Sequence, residues 1–410
     1  MTSPAPVRRI AELRRMTGTW LFVVAFAARL PVAMNVVGVL TLVTVVRDSV
    51  GDGGFVSAAL GIASGVGGPV IGAIADRVGQ RGVLLTVAVL HPLVLAALVL
   101  TVYTDASLLA IAAVAALAGA TIPPASPLMR ARWLALLASD SRAGGRGVPL
   151  ALGYESMADE ISFVGGPVLV GALATAFGPV APVVAAAVLA LVAVAAFALH
   201  RTATIVHADD HEGARVVAPR RALLAPAVLL PTGGMLFMGA FFGATLAALT
   251  AFMEEADAGE STGLFYGIMG ATSAVAALLV GRLPARFTLG MRWAIGATCL
   301  AIAGLVLVAA PSVATIVVVF VLAGVAVGAT LVTLFTIGAD AAPAGHLATT
   351  MTMLSSGIII GQGIAVASVG AFAAAQGADA SFLWIAVSGA GGLVTALTFL
   401  ASRTSRRTSG

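Results

Sequence analysis

The strongest constraint on the fold of this chain is a series of twelve apolar runs along its 410 residues. A membrane-spanning helix needs about 20 mostly apolar residues, and every run reaches that length. Their approximate bounds are 17–46, 54–75, 83–103, 106–134, 148–176, 180–200, 222–252, 260–281, 291–310, 312–338, 346–375 and 380–402. Strands of a membrane barrel alternate apolar and polar residues, whereas the stretch from Val183 to Leu199 is apolar throughout. The sequence therefore predicts an all-α polytopic membrane protein with twelve transmembrane helices.

Composition and charge argue against several other classes of protein. Hydrophobic residues make up 60% of the chain and charged residues 10%, against about 45–50% and 25% in soluble domains. The net charge of +4 does not predict nucleic-acid binding, because the arginines lie in short gaps between apolar runs. A single cysteine, Cys299, is incompatible with a disulfide framework. We find no nucleotide-binding loop, catalytic triad or metal-ligand set, and therefore expect neither an enzyme nor a cofactor.

The arginines also predict the orientation in the membrane. The chain has no lysine, and twenty of its 22 arginines lie on one side if the N-terminus is cytoplasmic. Cytoplasmic loops carry such an excess of basic residues, so both termini are predicted to be cytoplasmic. This count treats Arg130 and Arg132, at the end of the fourth run, as residues of a cytoplasmic loop. Of the two remaining arginines, Arg47 is assigned to an outside loop and Arg29 to the membrane interior.

A repeated pattern predicts two halves. Gly72 and Arg77 lie five residues apart at the end of the second run, and Gly281 and Arg286 repeat that spacing at the end of the eighth. Such internal repeats are typical of transporters built from two pseudo-symmetric six-helix bundles. The predicted organisation is a cytoplasmic N-terminus (1–16), a first bundle (17–200), a cytoplasmic linker (201–221), a second bundle (222–402) and a cytoplasmic tail (403–410). The linker carries a His and acid cluster at 207–212, which is interpreted as a solvated segment and not as a metal site.

The loop after the second run carries the most specific motif. Residues 72–81 read GAIADRVGQR, which resembles motif A of the major facilitator superfamily, G-x-x-x-D-R-x-G-x-R. The resemblance implies two bundles around a central cavity that opens alternately to the two sides of the membrane. It also implies a latch of the outward-open state, in which Asp76 faces the start of the eleventh helix near 343–347, since carboxylates favour helix N-termini. The latch residues are Gly72, Asp76, Arg77, Gly79 and Arg81. The alternative is an ordinary surface turn with arginines on the cytoplasmic side.

The fifth run carries a second, weaker motif. It is similar to motif C of proton-coupled antiporters, G-x8-G-x3-G-P-x2-G-G, although Ser162 and Val170 replace two of the glycines. The matching positions are Gly153, Ser162, Gly166, Pro167 and Gly171. The resemblance implies antiport, and the alternative is a Gly-Pro kink that lets this helix pack against the other half. The arginine that such antiporters carry in the fourth helix, shortly before a glycine, has no counterpart before Gly119.

Charged residues inside apolar runs are the candidates for ion coupling. Each costs at least about 2.5–3.5 kcal/mol at mid-membrane, so it needs a partner or a function. Arg29 in the first run lies at a depth comparable to that of Asp159 and Glu160 in the fifth run, which also carries Glu155. One arginine cannot neutralise three carboxylates. We therefore expect Arg29 to pair with Asp159 or Glu160, and the remaining acid to carry a coupling proton. The alternative is a static ion-pair network with a hydrated Glu155.

The candidates for a substrate cavity are mostly apolar. A stretch rich in Met and Phe in the seventh run would suit a bulky, amphipathic substrate, but a packing or lipid-facing role is equally open. The full set of cavity candidates is Asn35, Met235, Met238, Phe241, Phe242 and Gln362. His91 and His346 are assigned structural or interfacial roles.

The leading functional prediction is a secondary active transporter that exports drug-like or amphipathic small molecules in exchange for protons. An uptake symporter or uniporter for a small metabolite is the alternative, and a non-transporting scaffold or receptor ranks below both. The expected partners are a small-molecule substrate, protons and the lipid bilayer, with no nucleic acid, and the expected state is a monomer. Alanine- and arginine-rich, lysine-free usage fits a GC-rich genome, which predicts a bacterial plasma membrane location.

Overall fold

A computed structural model describes residues 13–139, 147–204, 217–256, 262–284 and 286–408 of the chain. The predicted linker cluster at 207–212 lies outside these residues, as do the last two residues of the predicted tail. Within the described residues the regular structure is helical, and twelve helices are long and apolar enough to cross a membrane. The predicted all-α membrane fold with twelve spanning helices is confirmed.

The twelve helices are numbered in chain order. Their bounds are α1 Thr19–Arg47, α2 Val50–Val78, α3 Gln80–Val102, α4a Leu108–Ala120 with α4b Ala125–Ser139, α5 Gly147–Phe177, α6 Ala181–Leu199, α7 Pro226–Glu255, α8 Thr262–Leu279, α9 Leu289–Ala309, α10 Val313–Ala341, α11 Leu347–Gln376 and α12 Leu383–Thr408. A π-helical segment, Ala190–Val194, lies within α6, and a 3₁₀ turn, Val280–Arg282, extends α8.

The chain forms two compact units. Unit 1 comprises Met1–Gly147, Ile161–Ala218 and Ala344–Ser356, and unit 2 comprises Val148–Glu160, Pro219–Pro343 and Gly357–Gly410. The first part of α5 therefore belongs to unit 2 with α7 to α10, and the first part of α11 belongs to unit 1 with α1 to α4. The two bundles predicted from the sequence, 17–200 and 222–402, place all of α5 in the first bundle and all of α11 in the second. That division stays a prediction.

Unit 1 is built around close backbone contacts between α2 and α4a. A Cβ atom on Gly119 would lie 2.0 Å from the carbonyl oxygen of Leu60, and one on Gly67 would lie 2.4 Å from that of Ala120. Membrane helices associate through such small residues because lipid provides no hydrophobic drive between helices. The glycines of α2 therefore serve packing along the helix as well as at its end.

The fourth helix is interrupted between α4a and α4b. Pro123 and Pro124 have no N–H group to continue the helical hydrogen bonds. The buried ring of His91, on α3, contacts the end of α4a through Nδ1, which is 3.1 Å from the carbonyl oxygen of Ala118. A carbonyl oxygen only accepts, so Nδ1 is the donor and Nε2 accepts from Asn35 Nδ2 at 2.9 Å. His91 is thus a structural residue of the break.

Unit 2 uses the same kind of packing around α8. A Cβ on Gly324 would lie 2.3 Å from the carbonyl oxygen of Met269, and one on Gly328 would lie 2.1 Å from that of Ser273. These two glycines lie one turn apart on α10 and place its backbone directly against α8. Backbone contact therefore holds α8 against α10 in unit 2.

Candidate functional site

The end of α2 meets the start of α11 through the carboxylate of Asp76. Its Oδ1 accepts from the backbone N–H of Ala348 at 2.9 Å, and its Oδ2 accepts from the backbone N–H of Thr349 at 2.7 Å and the Thr349 hydroxyl at 2.6 Å. The first four N–H groups of a helix have no partner within that helix. A carboxylate there also faces the positive end of the helix dipole. Asp76 therefore satisfies two otherwise unpaired donors of α11 with a full negative charge.

The other residues of the 72–81 motif either pack against neighbouring helices, shape the turn or are exposed. A Cβ on Gly72 would lie 2.4 Å from Thr352 Oγ1 and 2.9 Å from the carbonyl oxygen of Ala348, so only glycine permits this approach of α2 to α11. Gly79 has φ 92°, which ends α2 in a conformation that favours glycine. Arg77 and Arg81 are exposed.

The glycines of α5 contact two different neighbours. A Cβ on Gly153 would lie 2.3 Å from the carbonyl oxygen of Ala277 on α8, within unit 2. A Cβ on Gly166 would lie 2.7 Å from the Cβ of Ala33 on α1, within unit 1. Gly171 is exposed, with no described atom within 4 Å of where its Cβ would be. The motif therefore marks two close contacts, while its last glycine faces outward.

The two remaining positions of this motif are Ser162 and Pro167. Ser162 is buried, as expected for a small residue in place of glycine. Pro167 lies inside α5, which is continuous from Gly147 to Phe177.

The acids of α5 lie in unit 2, where Glu160 has a defined partner on α8. The Ser273 hydroxyl donates to Glu160 Oε1 at 2.9 Å, and Ser273 is fully buried. Glu155 is fully buried, whereas Asp159 and Glu160 are half-buried. Asp159 and Tyr266 are the electrostatic neighbours of Glu160. Sequence reasoning missed Ser273, although its i, i+7 spacing from Tyr266 puts both on one face of α8.

Arg29 of α1 is a buried residue of unit 1. Its side chain is 3% exposed, and Nε donates to the carbonyl oxygen of Ala25 at 3.1 Å. The burial agrees with its assignment to the membrane interior. Its pairing with Asp159 or Glu160 stays a prediction.

Arg130 and Arg132 correct the arginine count. Both lie in α4b and are buried, not in a cytoplasmic loop as the sequence analysis assumed. The apolar run continues past them to Leu137, so the helix does not end where the arginines begin. Arg130 and Arg132 are therefore buried helix residues and give no support to the count, and the orientation stays a prediction.

Arg132 is the centre of a buried polar cluster. Its Nε donates to Gln80 Oε1 at 2.8 Å, and Nη1 donates to the carbonyl oxygen of Phe197 at 2.9 Å and to Thr202 Oγ1 at 3.3 Å. The guanidinium carbon lies 3.7 Å from the centroid of the Phe197 ring, a cation–π contact. Sequence reasoning missed this cluster because Gln80 is a variable position of the motif.

His200 lies beside this cluster, just after α6. Its Nδ1 is 3.0 Å from Thr202 Oγ1. Burial lowers the pKa of His200, and the charges of Arg132 and Arg201 lower it further. The ring is therefore neutral near neutral pH.

The candidate cavity residues are mostly buried. Met235, Met238 and Phe241 are packed within unit 2, where Met238 and Phe241 line a small apolar cavity together with Trp293. Their burial favours the packing alternative. Phe242 and Asn35 are also buried, and Gln362 is half-buried. The assignment of all six residues to a substrate cavity stays a prediction.

The described residues contain no group of three or more His, Cys, Asp and Glu side chains that could hold a metal ion.

The fold itself has known counterparts. The model of the family described as Major Facilitator Superfamily matches residues 21–355. No curated protein sequence matches the chain.

Two solved structures illustrate the likeness of fold. A crystal structure of a bacterial homologue of the iron transporter ferroportin, outward-facing and with soaked iron, has a TM-score of 0.70 at 16% identity. The match covers 93% of this chain and 98% of that one. A crystal structure of the human organic anion transporter MFSD10 has a TM-score of 0.64 at 17% identity, over 96% and 100% of the two chains.

Proposed function

Because this chain belongs to the Major Facilitator Superfamily and is a multi-pass membrane transporter, we propose that it exports drug-like or amphipathic small molecules in exchange for protons. It does so by alternating access in a bacterial plasma membrane, as a monomer with both termini cytoplasmic. The hydrogen bonds of Asp76 to the start of α11 support the alternating access in this proposal. They are the contact that the motif implies for the outward-open latch.

The strength of the latch depends on the charge of Asp76 and on its position at the start of α11. The carboxylate supplies a negative charge to the dipole of α11 and acceptors to two unpaired donors. A movement of α11 along or away from α2 breaks all three hydrogen bonds together. Gly72 keeps the helices close enough for this geometry. The contact can therefore hold one state of a transport cycle and release it completely in another.

Proton coupling is assigned to Glu160. A carboxylate only accepts from Ser273, whereas a protonated carboxyl also has an O–H group to donate, so uptake of a proton changes this hydrogen bond. The α5–α8 contact is thus sensitive to the charge of Glu160.

The experiment measures ethidium movement in proteoliposomes, with and without an imposed pH gradient. We expect the gradient to accelerate ethidium movement by the wild type, and Glu160→Gln to abolish that acceleration while gradient-independent movement persists. Glu155→Gln and Asp159→Asn test the other two acids. Glu254→Gln, an exposed acid at the end of α7, is the matched control and should retain full acceleration.

Two results separate the parts of the proposal. If the wild type moves ethidium at the same rate with and without the pH gradient, proton-coupled export of this dye is overturned. Acceleration that survives in Glu160→Gln but disappears in Asp159→Asn or Glu155→Gln moves the coupling to another acid of α5.

A further inference from the structure

The turn between α2 and α3 needs support from outside itself. Gly79, at φ 92°, is the single residue between the two helices and gives the backbone there more freedom than any other residue type would. Asp76 lies in the last turn of α2, directly before it. The direction in which Asp76 points therefore depends on how the start of α3 is held.

Gln80, the first residue of α3, supplies that hold. It is fully buried, and both ends of its amide are hydrogen-bonded. Oε1 accepts from Arg132 Nε at 2.8 Å, and Nε2 donates to the carbonyl oxygen of Leu128 at 3.3 Å. Both partners lie on α4b, so the residue that follows the flexible Gly79 is fastened to a neighbouring helix.

Arg132 is in turn fastened to the end of α6. It donates to the carbonyl oxygen of Phe197 and the hydroxyl of Thr202, and its guanidinium stacks on the Phe197 ring. The carbonyl groups of a helix C-terminus favour a cation. No carboxylate is among these contacts, and the described residues give its Nη2 no hydrogen-bond partner. A buried guanidinium costs free energy, and capping α6 alone does not require its bond to Gln80.

We infer that Arg132 and Gln80 are positioning residues for the latch, which hold the turn at Gly79 so that Asp76 meets the first turn of α11. This inference rests on the proposed role of Asp76. It connects the ends of α4 and α6 to a contact that neither helix makes itself. The competing explanation is that Arg132 only caps α6 and has no effect at α11.

Amide hydrogen exchange at Ala348 and Thr349 distinguishes these explanations. Their N–H groups have no partner within α11, so their protection reports on Asp76. We expect Arg132→Gln and Gln80→Ala to accelerate exchange at these two amides about three- to tenfold, the effect of losing a hydrogen bond of ordinary strength. Arg132→Lys keeps the charge but loses the geometry of the guanidinium, and should resemble Arg132→Gln.

The controls separate failure of the inference from failure of its premise. Arg201→Gln removes an arginine at the same end of unit 1 whose guanidinium donates to the carbonyl oxygen of Met16, and should leave both amides unchanged. Asp76→Asn tests the premise that Asp76 protects these amides. Unchanged exchange at Ala348 and Thr349 in this variant would mean that the latch does not protect them. Faster exchange in Asp76→Asn but not in Gln80→Ala or Arg132→Gln overturns the inference alone. Gln80→Ala decides the matter if Arg132→Gln does not fold.

Discussion

The contact of α2 with α11 and the contact of α8 with α5 use different chemistry at corresponding places in the repeat. In unit 1 the carboxylate of Asp76 accepts three hydrogen bonds from the start of α11. In unit 2 the start of α5 meets α8 through glycine, with Gly153 against the carbonyl oxygen of Ala277. By the spacing of the repeat, Ala285 stands where Asp76 would be.

We call the contact of Asp76 with the start of α11 the contact held by charge. We call the close packing of Gly153 on Ala277 the contact held by shape. A hydrogen-bonded carboxylate can be weakened by a single protonation or by a small rotation. A backbone-to-backbone contact has no charge to remove and responds to the size of one side chain. The polar bond of the second contact, Ser273 to Glu160, lies farther along α5, two turns beyond Gly153. The contact at Asp76 and the contact at Gly153 therefore occupy corresponding places in the repeat but differ in what can release them.

Gly153→Leu should have the largest effect, because it tests contact by shape. Its Cβ would lie 2.3 Å from the carbonyl oxygen of Ala277, so α5 and α8 must separate. Overpacking of this kind typically costs about 1–3 kcal/mol. We expect a lower free energy of unfolding in detergent and faster amide exchange in α8, with Ala348 and Thr349 unaffected.

Gly171→Leu is the matched control for that prediction. It places the same side chain on the same helix, at an exposed position with no described atom within 4 Å of its Cβ. It should unfold like the wild type. Equal destabilisation by both variants would mean that leucine disturbs α5 itself, and contact by shape would lose its support.

The spans and the motif at α2 could be predicted from the sequence. Twelve long apolar runs leave few alternatives to twelve helices, and the spacing from Gly72 to Arg81 identified the family, which is confirmed. These features depend on local sequence, so a single chain suffices to find them.

The buried polar partners could not be predicted in the same way. The contact of Arg132 with Gln80 joins residues 52 positions apart, and that of Ser273 with Glu160 joins residues 113 apart. Neither pair has a distinctive spacing. Arg132 was also misassigned, since an arginine near the end of an apolar run is more often a loop residue. The acids of α5 were recognised from their cost in a membrane, but their partners required the fold.

Thr349→Val should have a moderate effect, confined to the contact held by charge. It removes the hydroxyl that donates to Asp76 Oδ2 at 2.6 Å but leaves the two backbone donors in place. We expect the free energy of unfolding to fall by about 1.5 kcal/mol, the low end for a hydrogen bond to a charged group. Thr350→Val is the neighbouring control, since it removes a hydroxyl that donates to the carbonyl oxygen of His346, directly before α11. Equal effects of the two variants would show that the bond to Asp76 adds nothing.

The protonation of His200 on a drop in pH should have the smallest effect, and this contribution belongs to unit 1. None of the five histidines falls in the residue ranges of unit 2. The pKa of His200 is lowered by burial and then by Arg132 and Arg201. The unfolded chain therefore binds more protons at this residue than the folded one, and stability falls as the pH drops below the ordinary histidine value of about 6.5.

His200→Gln removes this contribution and keeps a polar side chain beside Thr202. We expect the thermal unfolding midpoint of the wild type to fall more than that of the variant when the pH is lowered from 7 to 5.5. Other titrating groups, Glu160 included, are common to both proteins and cancel in the difference. Because Arg132 connects this end of α6 to Gln80, the same acidification should also lower the protection factors of Ala348 and Thr349, which correct for the slower intrinsic exchange at low pH, more in the wild type than in the variant. Parallel curves for the two proteins would mean that His200 does not contribute to the contact held by charge.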